Sequence, residues 1–277
     1  MLTQLLDAWS RQLVALLLLP AILGVLLHVT ERGTQEWLRR ALGWKGVIWW
    51  TGWLGTPVHE LSHAVVSLAF LHRIHEIKLF EPHPEDGVLG YVRYSFPQSG
   101  WRWWLGTIGQ FFSGVAPLFG GSLVIVGALA LLAPGARDVL GESERYAATL
   151  ASDSASQVVS GFVALVRAVY SGVFTAGDAR SWVFLYIALA IGAHMGPSPA
   201  DLKGGAGGFG LLVLGLLAGD LVMLLAGRDP HAAIGAFGQL AALLSAVLFL
   251  ALTLNVGNLG FAFVVGLIAG RRRHADA

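Results

Sequence analysis

The chain has no cysteine, and this one absence removes disulfides, thiolate metal sites and a cysteine nucleophile together. Charge is scarce as well: 13% of the 277 residues are Asp, Glu, Lys or Arg, and the formal net charge is +1. The basic residues form no stripe that could follow a phosphate backbone, so a nucleic-acid partner is not expected. There is no long polar stretch from which a soluble regulatory domain could be built. What is abundant is apolar: 55% of the chain is hydrophobic, with 36 Gly and 10 Trp. Several runs reach the roughly twenty apolar residues that cross a bilayer. The expected fold is mainly α, a polytopic transmembrane bundle of about six spans. It is read as a single membrane-embedded domain over residues 1–277, with the lipid bilayer as its surroundings.

The spans are expected in the following order. Leu13 to Val29 follows Arg11 and lacks a small-residue cleavage site, so it reads as a retained helix. Residues 31–45 carry Arg32, Arg39, Arg40 and Lys45 among Trp37, Leu38, Leu42 and Trp44, the pattern of an interfacial amphipathic segment. Trp49, Trp50 and Trp53 resemble an aromatic belt at the start of the second span. Thr56 and Pro57 suit an N-cap and a first helical residue, which predicts a fresh helix or a kink there. Residues 72–97 change character. Two β-rich runs, 74–80 and 88–94, are joined through Pro82-His83-Pro84-Glu85-Asp86-Gly87, and predict a β-hairpin.

Trp103 to Ala133 is long for one span, and Gly114-Val115-Ala116-Pro117 with Gly120-Gly121 suggests a break, a re-entrant piece or a tilt. Residues 158–170 have helical periodicity, but Arg167 leaves open whether they lie on the membrane or inside the bundle. Trp182 to Met195 and Leu211 to Ala226 are further spans. Ala236 to Ala269 is again long, with Asn255-Val256-Gly257-Asn258 as an expected interruption. Arg271-Arg272-Arg273 argues for a cytoplasmic C-terminus, although six spans then put the basic segment 31–45 outside.

Between Lys45 and His72 the only ionisable side chains are His59, Glu60 and His63. Charged groups at membrane depth cost roughly 2.5–3.5 kcal/mol each on insertion scales, so three together need a reason beyond spanning. Positions four apart share a helix face, and both imidazoles can reach one ion with Glu60 beside them. This is the HExxH geometry of zinc-dependent hydrolases. A catalytic zinc takes three protein ligands and keeps one position for water. Asp201, just past a hydrophobic span among prolines and glycines, is the candidate third ligand, with a capping or solvated-loop role as its alternative. Asp220 stands beside Gly219 in a packing helix and reads as structural.

His59-Glu60-Leu61-Ser62-His63, the hairpin after it, Gly114-Val115-Ala116-Pro117 and the distant Asp201 together resemble the site-2 protease family of intramembrane metalloproteases, of M50 type, and its M50B-like branch in particular. The resemblance spans about residues 50–204. It implies zinc held by His59, His63 and Asp201, and hydrolysis of peptide bonds in or near transmembrane segments of membrane protein or peptide substrates. The family's later motif ends Leu-Asp-Gly, whereas this chain reads Pro199-Ala200-Asp201-Leu202-Lys203-Gly204. In the implied mechanism Glu60 is general base and then acid, and an edge of the hairpin holds the unwound substrate by strand addition. His194 is a candidate to hydrogen-bond a metal ligand from behind or to stabilise an oxyanion. Asn255 and Asn258 are candidates for binding substrate backbone. The expected location is the plasma membrane of a prokaryote. The rival readings are a transporter or channel lined by the same residues, a catalytically inactive membrane scaffold, and a zincin whose third ligand is a glutamate on a later helix, for which Glu142 and Glu144 are the candidates in a polar stretch.

Overall fold

The computed structural model describes residues 1–82, 88–100, 102–152, 154–174 and 177–275. Helix α1 (Leu2–Leu13) passes through a π-helical turn at Val14–Leu18 into α2 (Leu19–Val47), and a second π turn at Ile48–Gly52 leads into α3 (Trp53–Ala69). Strands β1 (Arg73–Lys78) and β2 (Tyr91–Ser95) follow, and then α4 (Trp103–Leu132), α5 (Ala136–Thr149), α6 (Ala155–Phe174), α7 (Ala179–Gly192), α8 (Pro199–Lys203), α9 (Ala206–Leu225) and α10 (Ala232–Ala275). Among the described residues five stretches are long and apolar enough to cross a bilayer: Leu2–Ala69, Trp103–Leu132, Ala155–Phe174, Ala206–Leu225 and Ile234–Ala269. The chain is a mainly helical membrane protein carrying one small antiparallel hairpin.

The details depart from the sequence expectations in instructive ways. The first two expected spans belong to one helical path, kinked where Gly43 takes φ 69° and ψ −176°. Segment 31–45 continues the same helix rather than forming a separate one. Its Thr34 and Leu38 face inward, and Trp37 meets Phe263 of α10 edge-on at 4.9 Å. Thr56 is no N-cap, because α3 begins three residues earlier and carries Pro57 in its interior. Ala155–Phe174 qualifies as a span. The expected span at Trp182–Met195 is instead a 14-residue helix, α7, about 21 Å long. That falls short of the roughly 30 Å of hydrocarbon, and α7 ends among buried residues from Ala190 to Met195.

Neither expected interruption is a break. Helix α4 runs unbroken through Gly114–Gly121, and α10 through Asn255–Asn258. The glycines of α4 serve close approach. A β-carbon at Gly114 would collide with the Asp201 carbonyl, and one at Gly120 with the Ser62 side chain. They let α3 and α8 lie directly against α4. The apolar core around Leu27, Ile125, Leu165, Phe184, Ile191 and Leu248 closes behind this junction.

In the hairpin, Ile74 pairs with Tyr94 and Lys78 with Tyr91, with an irregularity between Ile74 and Glu76. Its expected turn, residues 83–87, lies outside the described residues. His72 anchors the hairpin to α4. Its ring stacks on Tyr94 and Phe96 at 5.0 and 4.9 Å, and its Nε2–H donates to the Gly106 carbonyl at 3.0 Å. Burial holds the His72 pKa below the usual histidine range, so the ring stays neutral and keeps its stacking.

Candidate metal centre

Helical spacing places His59 and His63 on one face of α3, and the tertiary fold then fixes each ring from behind. His59 Nδ1 lies 2.6 Å from the His194 carbonyl oxygen, and His63 Nδ1 lies 2.7 Å from that of Ser113. A carbonyl only accepts, so each Nδ1 carries the proton and each neutral ring presents Nε2 as a lone pair. These are the supports that a metal-binding imidazole needs to hold its tautomer and orientation.

Both carbonyls are free for a local reason. In α4 the amide that should bond to Ser113 belongs to residue 117, which is proline and has no N–H. The unpaired Ser113 carbonyl turns to His63. His194 follows the C-terminus of α7, where the last carbonyls have no intrahelical partner. Ser198 N–H, the next amide in register, is taken by Asp201 Oδ2 at 2.7 Å. A helix that stops inside the protein thus supplies the acceptor for His59.

Replacing Pro117 with Ala returns an amide donor to the Ser113 carbonyl, in competition with His63. We expect the affinity of the triad for a metal ion to fall by about 10–100-fold, the usual cost of losing an outer-shell partner. Helix α4 itself should gain stability. Titration with a divalent metal such as zinc against a competing chelator, alongside a thermal melt, separates the two effects, and unchanged affinity would show that the freed carbonyl does not matter.

Asp201 sits at the third position of α8. Its Oδ2 accepts from Ser198 N–H, while Ser198 Oγ accepts from Asp201 N–H at 3.2 Å, a reciprocal capping box. The capping alternative and the ligand role are therefore compatible, because Oδ1 is left to face His63 Nε2 at 3.5 Å. His59 Nε2 lies 3.9 Å from Oδ2. The two Nε2 atoms are 3.0 Å apart. Two lone pairs at that distance repel, and the neutral pair has no hydrogen to share, so a cation between them is the natural complement. Zinc bonds of about 2.0–2.2 Å place tetrahedral ligand atoms roughly 3.3 Å apart; the Nε2 pair and the His63–Oδ1 separation lie near that value, and the His59–carboxylate separation is longer. Among the described residues, His59, His63 and Asp201 form the one group of three acidic or imidazole side chains placed to hold a metal ion.

Glu60 is buried beside the triangle and makes no hydrogen bond or ion pair to another described residue. Gly90, just before β2, lies against its side chain, where a β-carbon would collide with Glu60 Cγ and with the carbonyls of Lys78 and Leu79. The hairpin thus comes down over Glu60.

Comparisons with protein-family models, with curated proteins and with solved structures return no match. The reading of this centre rests on its own geometry.

The remaining sequence candidates take other places. His194 contributes its carbonyl to His59. Its ring points away, with Nε2 3.1 Å from Thr51 Oγ1 and Nδ1 4.0 Å from Glu31. Asn255 and Asn258 are not brought to the triangle. Asn255 Nδ2 donates to the Ala251 carbonyl of its own helix, and Asn258 Oδ1 accepts from Trp50 Nε1 at 2.9 Å. Asp220 is buried and accepts from Gln12 Nε2 at 2.7 Å, joining α9 to α1. Glu142 pairs with Arg145 on α5.

Sequence reasoning passed over Glu31. Its Oε1 accepts from Gln35 Nε2 at 3.1 Å, and its Oε2 lies against Gly196, two residues past His194. The signal was present: Leu27, Glu31, Thr34 and Leu38 follow the i, i+4, i+7, i+11 spacing of one helix face. An acid on a face otherwise closed to solvent marks a buried role.

Proposed function

We propose that the protein is an intramembrane zinc metalloprotease that hydrolyses peptide bonds in or near transmembrane segments of membrane protein substrates. The observation behind this reading is the convergence of two carbonyl-oriented Nε2 atoms and Asp201 Oδ1 beside an unpaired Glu60, on helices of a membrane protein. In this reading His59, His63 and Asp201 hold zinc, which when bound supplies an acidified water and polarisation of the scissile carbonyl. Glu60 takes the proton from the attacking water as its oxygen bonds to the carbonyl carbon. The carbon–nitrogen bond then breaks, and Glu60 returns the proton to the leaving amine.

A transmembrane helix hides its carbonyls in its own hydrogen bonds, so the scissile segment must first be unwound. A two-stranded sheet has two unpaired outer edges, and strand addition to one of them would hold the extended segment next to Glu60, where Gly90 already lies. The proposed setting is the cell membrane of a prokaryote, with the C-terminus on the cytoplasmic side.

The test is reconstitution of purified protein with a single-span substrate. Chelation is expected to abolish cleavage, and restored zinc to return it. Cleavage that persists in the fully metal-free protein would overturn the proposal. Metal flux into liposomes without cleavage would favour a transport path through the same residues.

A further inference from the structure

Helices α5 and α6 flank a cleft of about 430 Å³. Arg137, Arg145 and Arg167 line it, together with Asp138, Glu142 and Ser171. Arg145 is paired with Glu142. Neither Arg137 nor Arg167 makes an ion pair to another described residue, and Asp138 sits in the first turn of α5, where a carboxylate is favoured by the helix dipole.

Arg167 is the unusual member. Helix α6 is apolar enough to cross a bilayer, and its exposed side chains Val163, Tyr170 and Phe174 fall on one face with Arg167 at i, i+4, i+7 and i+11. A guanidinium in the middle of an exposed apolar stripe is costly against hydrocarbon and needs an anionic partner. Among the described residues none is paired with it, although Asp138 and Glu142 line the same cleft.

We propose that this cleft binds a phosphate group, held by the free guanidiniums of Arg137 and Arg167, and that its source is the headgroup of an anionic phospholipid. Two guanidiniums offer planar forks of donors that match phosphate oxygens in pairs. The apolar stripe on either side of Arg167 favours a lipid over free phosphate, because acyl chains can lie along Val163, Tyr170 and Phe174 while the headgroup occupies the cleft. The occupant neutralises Arg167 and closes the α5–α6 pair on its exposed side. The site shares no residue with the metal centre.

The experiment uses the full chain purified in neutral detergent and presented with phosphatidylglycerol or phosphatidylcholine of matched acyl chains, with retained lipid read by native mass spectrometry. The expected result is one phosphatidylglycerol per chain, preferred by about tenfold or more, consistent with two charge-assisted contacts. The double variant Arg137→Gln with Arg167→Gln should lose that preference, with zinc content and elution volume unchanged. If the double variant does not fold, Arg137→Lys with Arg167→Lys keeps the charge without the fork and should show a reduced preference. Inorganic phosphate that displaces the lipid and is itself retained would support the phosphate site but overturn the lipid as its source. Equal retention of both lipids by the wild type with no retention of inorganic phosphate, or an unchanged preference in either double variant, overturns the proposal.

Discussion

Glu60→Gln is expected to lower cleavage of a single-span substrate by roughly 10²–10⁴-fold, the range a positioned general base contributes, while zinc stoichiometry stays at the wild-type value. The substitution is nearly isosteric and removes only the capacity to take a proton. Glu60 bonds to no other described residue, so no ion pair is broken by the change. A loss through misfolding would carry zinc with it, because both histidines share α3 with residue 60. His59→Ala provides that contrast: it removes a ligand, and both zinc and cleavage should go. Cleavage at the wild-type rate by Glu60→Gln would remove Glu60 from the base role and with it the mechanism proposed here. The close approach of Gly90 gives a companion expectation in the same assay, since a side chain there would press on Glu60 and on the hairpin backbone together.

The parts of this centre that are local in sequence were legible before any coordinates. Two imidazoles four residues apart on a helix must share a face, and an apolar run with three ionisable groups in it announces a site. Asp201 was legible as a candidate, since helix-stopping residues around an acid next to an apolar run are visible in one dimension. Its partners were not. That His63 leans on Ser113 depends on α4 crossing α3, and no spacing in either helix states the crossing. Pro117 shows the difficulty well. Read alone it predicts a break, yet α4 continues through it, and what the proline changes is one carbonyl, released toward His63. The glycines nearby are ambiguous for a related reason. Absence of a side chain permits both bending and close packing, and only the neighbour, Asp201 at Gly114 or Ser62 at Gly120, decides which. The apolar run from Trp182 reads as a span in one dimension, whereas the chain turns out of α7 after Gly192 to bring the His194 carbonyl to His59.

Asp201→Ala is expected to reduce zinc affinity by more than about 100-fold, beyond the usual cost of an outer-shell change, and to abolish cleavage. Asp201 has two tasks, and Ala removes both, so the variant alone does not separate them. Losing the capping contacts of α8 costs about 0.5–2 kcal/mol and leaves Ser198 N–H without its 2.7 Å acceptor. Ser198→Ala removes the hydroxyl side of the box but keeps the carboxylate, and should bind zinc with a smaller loss. Asp201→Asn keeps an oxygen for Ser198 N–H while replacing a charged ligand by a neutral amide, and should lose zinc with little change in melting temperature. The order of affinity then runs from wild type through Ser198→Ala to Asp201→Asn and Asp201→Ala. If Asp201→Asn binds zinc as tightly as the wild type, the carboxylate is a helix cap alone, and the third ligand must be sought elsewhere. In that case Glu31 is a further part-buried acid to test, since its carboxylate lies 4.0 Å from the ring of His194, whose carbonyl supports His59.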